Sequence, residues 1–459
     1  MDEMEMLADQ VKLLLAEGDP VKLNEYLDNL NISDVEGLID ELPEYADIFI
    51  STLSINRAVN VFRILDFPTQ ERIVKKLSGP KIAELINELP PDDRTSFFSE
   101  LHGDAVKKLI ILLPPADRKE ALSLLGYPEE SVGRLMTPDY ITVKEEWSVA
   151  KVLEHIRKYG KNSETIDVIY VIDDKGVLLD DIRIREILLV KPDVLISDLM
   201  DNRLISLRAN DPQEEAINVF RMNNRVALPV TDDQQIMLGI VTVDDILWVA
   251  NEEYTEDMQR IGGTQALDEP YMDMSIINLV KKRAGWLVLL FFGQLFTASV
   301  MGHYEAQLAG ALILAVFIPL IMSSGGNSGS QASTLIIQSM AMSDVTLNDW
   351  WNVMKREIIS GLMLGLILGS LGFLRIYVQH AAFGDMGEHW FLIAIVVSLS
   401  LIGVVTWGSL IGSMLPFILR RFGADPATSS TPFVATLVDV TGLILYFSIA
   451  SYILEGLLF

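Results

Sequence analysis

The period of hydrophobic and polar positions changes twice along this 459-residue chain, and each change predicts a different kind of structure. Up to about residue 130, apolar residues recur at three-and-four spacing, the signature of short amphipathic helices. A repeat punctuates them: LPPDDR at residues 89–94 returns as LPPADR at residues 113–118, and DFPTQER at residues 66–72 is a looser copy. Proline in a first helical turn lacks only an N–H that would be orphaned there, and the acidic residues behind it complement the helix dipole. Residues 1–130 are therefore expected to form an acidic helical-repeat domain, a small superhelix of stacked helix pairs. Residues 131–251 switch to short strands alternating with helices, and here the chain repeats itself. LMTPDYITVKEEWSVAKVLEHIRKY followed by DVIYVIDDKGVLLDDI is echoed by LMDNRLISLRANDPQEEAINVFRMN followed by VALPVTDDQQIMLGIVTVDDIL, with Met136 and Met200 at equivalent points.

Residues 252–283 read as a connector, acidic and helix-friendly at first and ending on the basic KKR of residues 281–283. Beyond it, apolar runs at about residues 286–302, 306–324, 357–378, 390–418 and 432–454 each approach or exceed the roughly 20 residues that cross a bilayer as a helix. Residues 284–459 thus predict a five-helix membrane domain whose two ends lie on opposite sides. With the N-terminus in the cytosol and the C-terminus outside, Lys281, Lys282, Arg283, Lys355, Arg356, Arg420 and Arg421 stay inside and Arg375 alone is outside. That distribution satisfies the positive-inside rule, and Trp286, Trp350, Trp351 and Trp390 fall near span ends as interfacial aromatics do.

Charge sharpens this division. Residues 1–270 carry 53 acidic against 28 basic side chains, whereas residues 271–459 carry 10 against 8, so a strongly acidic part precedes a nearly neutral apolar one. An acidic surface of that size repels nucleic acid and anionic headgroups and attracts cations. The absence of cysteine excludes disulfides, thiolate nucleophiles and Cys-ligated metal. The opening MDEMEMLADQ lacks the layout of a signal peptide, in keeping with a cytosolic N-terminal part.

Candidate chemistry lies inside the apolar part, where polar groups are costly unless they face protein, water or an ion. On a fifth span capped by Thr431 and opened by Pro432, Ala435, Thr436, Asp439, Gly442 and Tyr446 recur three or four residues apart and share a face. Asp439 is either a cation-binding carboxylate in a pore or a structural hydrogen-bonding group between helices. Its depth, its small neighbours and the lack of an obvious basic partner favour the first. Hard divalent cations prefer oxygen ligands, and Mg2+ tends to keep its water. One carboxylate with the carbonyls of Ala435 and Gly442 suits a hydrated ion held from one side, and a symmetric dimer would supply a second carboxylate. MSSGGNSGSQAST at residues 322–334 follows the second apolar run. Its Gly325, Gly326 and Gly329 permit close helix approach, the packing alternative, while Asn327, Ser328 and Gln331 offer polar groups at the inner mouth of a path. His303, His380 and His389 read as polar residues near the interface rather than a metal site.

Residues 131–251 resemble a tandem pair of CBS domains, a regulatory module with a β-α-β-β-α core. Gly239, Thr242 and Asp245 fit the pattern that binds a nucleotide ribose in that family, whereas the equivalent LLDDIRIRE of the first copy has lost the glycine and threonine. FIPLIMSSGGNSGSQAST, DPATSSTPFVATLVDVTG and the order helical repeat, CBS pair, five spans resemble the MgtE family of magnesium channels over essentially the whole chain. The resemblance implies a homodimer in the bacterial plasma membrane, its pore lined by the second and fifth spans, with Asp439 as the central ion-binding aspartate and Ala435 and Gly442 as its carbonyl neighbours. Glu305, at the outer start of the second span, matches an acidic position of the family, whereas Gln338 stands where members often carry Arg. It further implies that cytosolic Mg2+, bound between carboxylates such as Asp92, Asp93, Asp245, Glu253, Glu256 and Asp257, holds the pore shut; the CBS pattern at Thr242 and Asp245 offers a place for ATP or another adenine nucleotide, the alternative being an ordinary strand-turn-helix cap. Alternatives are a membrane-anchored ion or nucleotide sensor without transport, and a transporter of Mn2+, Co2+ or Ni2+. An enzyme is not expected, since no nucleophile–base pair, paired intramembrane His or Walker motif is present.

Overall fold

The computed structural model describes residues 3–267, 271–272, 274–304, 312–342, 344–383 and 389–454. They fall into two compact units, Met1–Ala250 and Asn251–Phe459.

The first unit opens with consecutive short helices running from Glu3–Glu17 to Pro115–Leu124. The prolines do what the repeat predicts: Pro sits in the first turn of Pro20–Asn29, Phe67–Lys76, Gly79–Glu88, Pro91–Glu100 and Pro115–Leu124. The inward stripes meet in one core that includes Leu38, Phe49, Phe62, Ile73, Ile86 and Phe98. Two three-stranded sheets follow: β1 (Thr142–Val143), β2 (Val168–Ile172) and β3 (Leu178–Arg183), then β4 (Leu207–Arg208), β5 (Ala227–Thr231) and β6 (Met237–Thr242). In each the first pair is parallel across a helix, Val149–Tyr159 or Gln213–Asn223, and the second pair is antiparallel. The β-α-β-β-α duplication is therefore real. Its hairpins share one device: Asp173 Oδ1 accepts from Lys175 N and Val177 N, both at 2.8 Å, and Asp232 Oδ1 accepts from Gln234 N at 2.8 Å and Ile236 N at 2.9 Å. The two turns meet where Leu178 N donates to Gln235 O and Met237 N to Gly176 O, each at 3.0 Å.

Among the described residues the second unit holds five helices long and apolar enough to cross a membrane: Ile276–His303, Ile313–Ala341, Leu347–Ala382, Trp390–Arg421 and Thr431–Leu454. Glycine lets them approach closely. Cβ atoms added at Gly408 and Gly412 of the fourth span would stand 2.3 and 2.0 Å from the carbonyl oxygens of Gly325 and Gly329 on the second. On the third span, Gly361, Gly365 and Gly369 face Thr406, Ile402 and Ser398 of the fourth in the same way.

The glycine-rich stretch does not end the second apolar run. It lies within the continuous helix Ile318–Ala341. Ser324, Ser328 and Ser333 find partners within the helix or across to neighbouring segments, whereas Asn327 and Gln331 stay exposed on the single chain. Ser324 Oγ donates to Leu320 O at 2.7 Å, Ser328 and Ser409 hydroxyls meet at 2.7 Å, and Ser333 Oγ donates to Ser429 O at 3.0 Å.

Candidate functional site

The start of the fifth span is built from several segments. Ser429 and Ser430 are fully buried. Ser430 Oγ accepts from Phe433 N at 3.4 Å, so it supplies the side-chain cap assigned from sequence to Thr431, and it also accepts from Trp286 Nε1 at 2.8 Å. Asp425 Oδ1 accepts from Ala427 N at 2.8 Å, turning the chain into the helix. Its other oxygen pairs with Arg260, which also bridges to Glu256. The first, second and fifth spans and the end of helix Val243–Ile261 thus converge on DPATSSTP.

Asp439 lies eight residues beyond Thr431, about 12 Å along the helix. Its Oδ2 accepts a hydrogen bond of 3.3 Å from Gln294 Nε2 on the first span, and among the described residues it makes no ion pair. Gly326 of the second span lies beside it: a Cβ added there would stand 3.5 Å from Ala435 Cβ and 3.8 Å from Asp439 Oδ1. The missing side chain leaves Oδ1 facing helix backbone rather than a competing group. Gly442, one turn on, packs its Cα side against the fourth span, where an added Cβ would stand 2.9 Å from Val404 Cγ1. Gly325 and Gly329 serve helix packing, whereas Asn327 and Gln331, one turn apart, are exposed on the single chain, with Asn327 Nδ2 donating to Ser323 Oγ at 3.4 Å. Glu305 lies outside the described residues.

In the first unit, Asp92 and Asp93 open helix Pro91–Glu100, while Asp244 and Asp245 open helix Val243–Ile261. With Glu164 they form a carboxylate cluster. Arg63 stands among them, 2.8 Å from Asp93 Oδ2 and 3.9 Å from Glu164 Oε1. Asp92 is 5% exposed, and neither carboxylate oxygen has a hydrogen-bond partner among the described residues. Burial, then Asp245, Asp93 and Glu164, pushes its carboxyl well above the ordinary 3.8. Burial raises Asp93 to about 7 against the opposing pull of Arg63, and burial raises Asp245 to about 6 against its hydrogen bond from Thr242. The Thr242 hydroxyl, 5% exposed, lies 2.6 Å from Asp245 Oδ2 and 2.5 Å from Asp244 Oδ1, so the two residues of the ribose pattern are engaged with each other.

Glu253, Glu256 and Asp257 belong to the second unit. Burial, then Asp425 and Glu253, lifts Asp257 to about 6. Among the described residues no group of three His, Asp or Glu side chains is placed to hold a metal ion. The two Asp92 oxygens without a hydrogen-bond partner among the described residues are hard donors that suit an ion keeping its water. Glu164, Arg63 and Gln294 were not singled out from sequence. Gln294 had a signal, a lone amide in an apolar run, but Arg63 and Glu164 had none, because the fold brings them in from far along the chain.

Similarity to known proteins agrees with this architecture. Residues 318–449 match the MgtE family, described as a divalent cation transporter, residues 30–130 match the MgtE intracellular N domain, and residues 132–192 and 196–252 match the CBS domain. Magnesium transporter MgtE of Thermus thermophilus is 35% identical over 456 residues, 98% of this chain and 99% of the relative. The Enterococcus faecalis protein of the same name is 31% identical over 332 residues, 72% of this chain and 71% of the relative. A solved cytosolic domain of the Mg2+ channel MgtE in complex with ATP aligns with a TM-score of 0.51 and 31% identity, covering 53% of this chain and 99% of that one. With its N domain, CBS pair and five apolar helices in that order, this multi-pass membrane protein belongs to the MgtE family, a family of cation transporters and not of enzymes.

Proposed function

We propose that the chain transports Mg2+ across the bacterial plasma membrane as a homodimeric channel, with its N-terminus in the cytosol, and that cytosolic Mg2+ closes it. The observation that carries the reading is Asp439: a carboxylate two turns inside an apolar span, hydrogen-bonded to one amide, flanked by Gly326 and Ala435, and without an ion pair among the described residues. A carboxylate at membrane depth without a cationic partner marks an ion pathway more often than a packing contact. The relatives named magnesium transporter support Mg2+ as the cargo. A second copy covering the exposed Gln294, Asn327 and Gln331 would complete the site from the other side.

The closing device in this reading is the carboxylate cluster. Asp92, Asp93 and Asp245 repel one another when Mg2+ is scarce and are bridged when it is plentiful, and Glu253, Glu256 and Asp257 respond alike on the connector. Asp92 supports this, because a buried carboxylate with two unpartnered oxygens suits a bridging hydrated cation. The ATP complex of the related cytosolic domain supports an adenine nucleotide at the second CBS copy. Asp245 would then serve both ligands, so nucleotide and ion occupancy would be linked. The test is Mg2+ influx into liposomes carrying the purified protein at low internal Mg2+, wild type against Asp439→Ala. Influx that disappears with dimer and fold intact is the expected result, and absence of wild-type influx would overturn the reading.

A further inference from the structure

Gln294 lies on the first span, surrounded in sequence by the exposed apolar residues Phe291, Phe292, Leu295 and Phe296. A lone amide on such a surface has a cost that its single hydrogen bond must offset. The backbone makes that bond possible, since at Gly293 an added Cβ would stand 2.6 Å from Thr436 Cγ2, so a larger residue would push the first span off the fifth. One residue on, Gln294 Nε2 reaches Asp439 Oδ2 at 3.3 Å. The ionised carboxylate can only accept, so the amide must present its N–H to Asp439, and among the described residues its Oε1 is left as an acceptor without a partner.

We infer that Gln294 is a positioning residue for the ion at Asp439 and sets its discrimination between Mg2+ and Ca2+. This rests on the transport reading above. By taking one lone pair of Oδ2, the amide leaves Oδ1, on the Gly326 side, as the freer oxygen for the cation. Ca2+ takes carboxylates in bidentate fashion and sheds water readily, whereas Mg2+ retains its shell. A carboxylate with one oxygen already accepting, and its plane fixed by that bond, is a poorer bidentate ligand for Ca2+. It can still accept a hydrogen from a Mg2+-bound water, and Gln294 Oε1 adds a neutral acceptor for another. The hydrogen bond thus favours the ion bound through its water over the ion bound directly.

The test compares Gln294→Met, which keeps length and apolar fit but removes the amide, and Gln294→Glu, which keeps reach but removes the donor. Full-length protein in liposomes is assayed for Mg2+ influx and Ca2+ influx separately. The expected result is a Mg2+-to-Ca2+ ratio that falls about tenfold in both variants, the factor expected for loss of one hydrogen bond to a charged group. Lower influx of both ions at an unchanged ratio would mean a structural role and overturn the inference. If one variant fails to fold, the ratio in the other decides. No wild-type Mg2+ influx would remove the transport reading itself, a result distinct from a functioning channel whose ratio ignores Gln294.

Discussion

Asp92→Asn isolates the proposed sensor. In the wild type the Asp92 carboxylate is buried with no hydrogen-bond partner among the described residues and faces Asp93, Asp245 and Glu164. Exchange for an amide removes one negative charge and supplies a donor to the neighbouring carboxylates. Without Mg2+, relief of one unsatisfied buried group should stabilise the cluster by about 2 kcal/mol. The neighbours show the same tension: holding Asp93 at about 7 rather than 3.8 means that ionising it in the fold costs on the order of 4 kcal/mol more than in an unfolded chain. Because the folded value lies above the unfolded one, this cost is absent below about pH 4, grows as pH rises, and is complete above about pH 7.

Hydrogen exchange of the Pro91–Glu100 amides in the full-length protein reads both effects. In chelator, Asp92→Asn should slow exchange about 30-fold, the equivalent of ~2 kcal/mol. Mg2+ at about 100 times its dissociation constant should slow wild-type exchange by roughly a hundredfold, or ~2.7 kcal/mol, and leave the variant nearly unchanged. Asp104→Asn, at a side chain 93% exposed, controls for net charge and should change neither. A variant that exchanges faster than wild type in chelator, or that keeps the full Mg2+ effect, would refute the argument that like charges are held together there for an ion to bridge.

Two further predictions concern the second unit. Gly412→Val must push the fourth span away from Gly329 O and should lower thermal stability in detergent by about 1–3 kcal/mol, whereas Gly285→Ala, with open space around it, should be neutral; equal effects would mean that the glycine contact is not what sets this helix approach. Asp425→Asn keeps the cap on Ala427 N but loses the ion pair with Arg260, so in limited proteolysis the 251–283 connector should need more Mg2+ for protection than in wild type; an unchanged dependence would detach Arg260 from closure.

Much of the fold was legible because its signals are local. The LPP repeats start helices Pro91–Glu100 and Pro115–Leu124 through the missing N–H of proline, and the duplicated CBS pattern reports its two sheets through alternation alone. The end of the second span was placed too early because hydropathy treats Ser324, Ser328 and Ser333 as exposed polar groups, whereas they find a carbonyl or hydroxyl on their own helix, the fourth span and the DPATSSTP turn. Within the candidate sites, Asp92, Asp93 and Asp245 could be named from acidic character and family pattern. Arg63 could not, since nothing local distinguishes it from other surface arginines until the fold sets it 2.8 Å from Asp93.

The proposed closure needs an element that both the connector carboxylates and the pore helix bias, and the end of helix Val243–Ile261 has that form. Its last turn carries Arg260, which holds Asp425 in the turn that leads into the helix bearing Asp439. Asp425 in turn fixes the DPATSSTP turn through Ala427 N, and Ser430 ties that turn to Trp286 of the first span. Anything that changes how firmly the last turn of Val243–Ile261 is held therefore acts on the first and fifth spans together, the same two spans that meet again at Gln294 and Asp439. In the proposed mechanism Mg2+ at Glu253, Glu256 and Asp257 relieves the repulsion around Asp425 and strengthens that hold, whereas Mg2+ depletion leaves Asp257 and Asp425 opposed, with Arg260 between them.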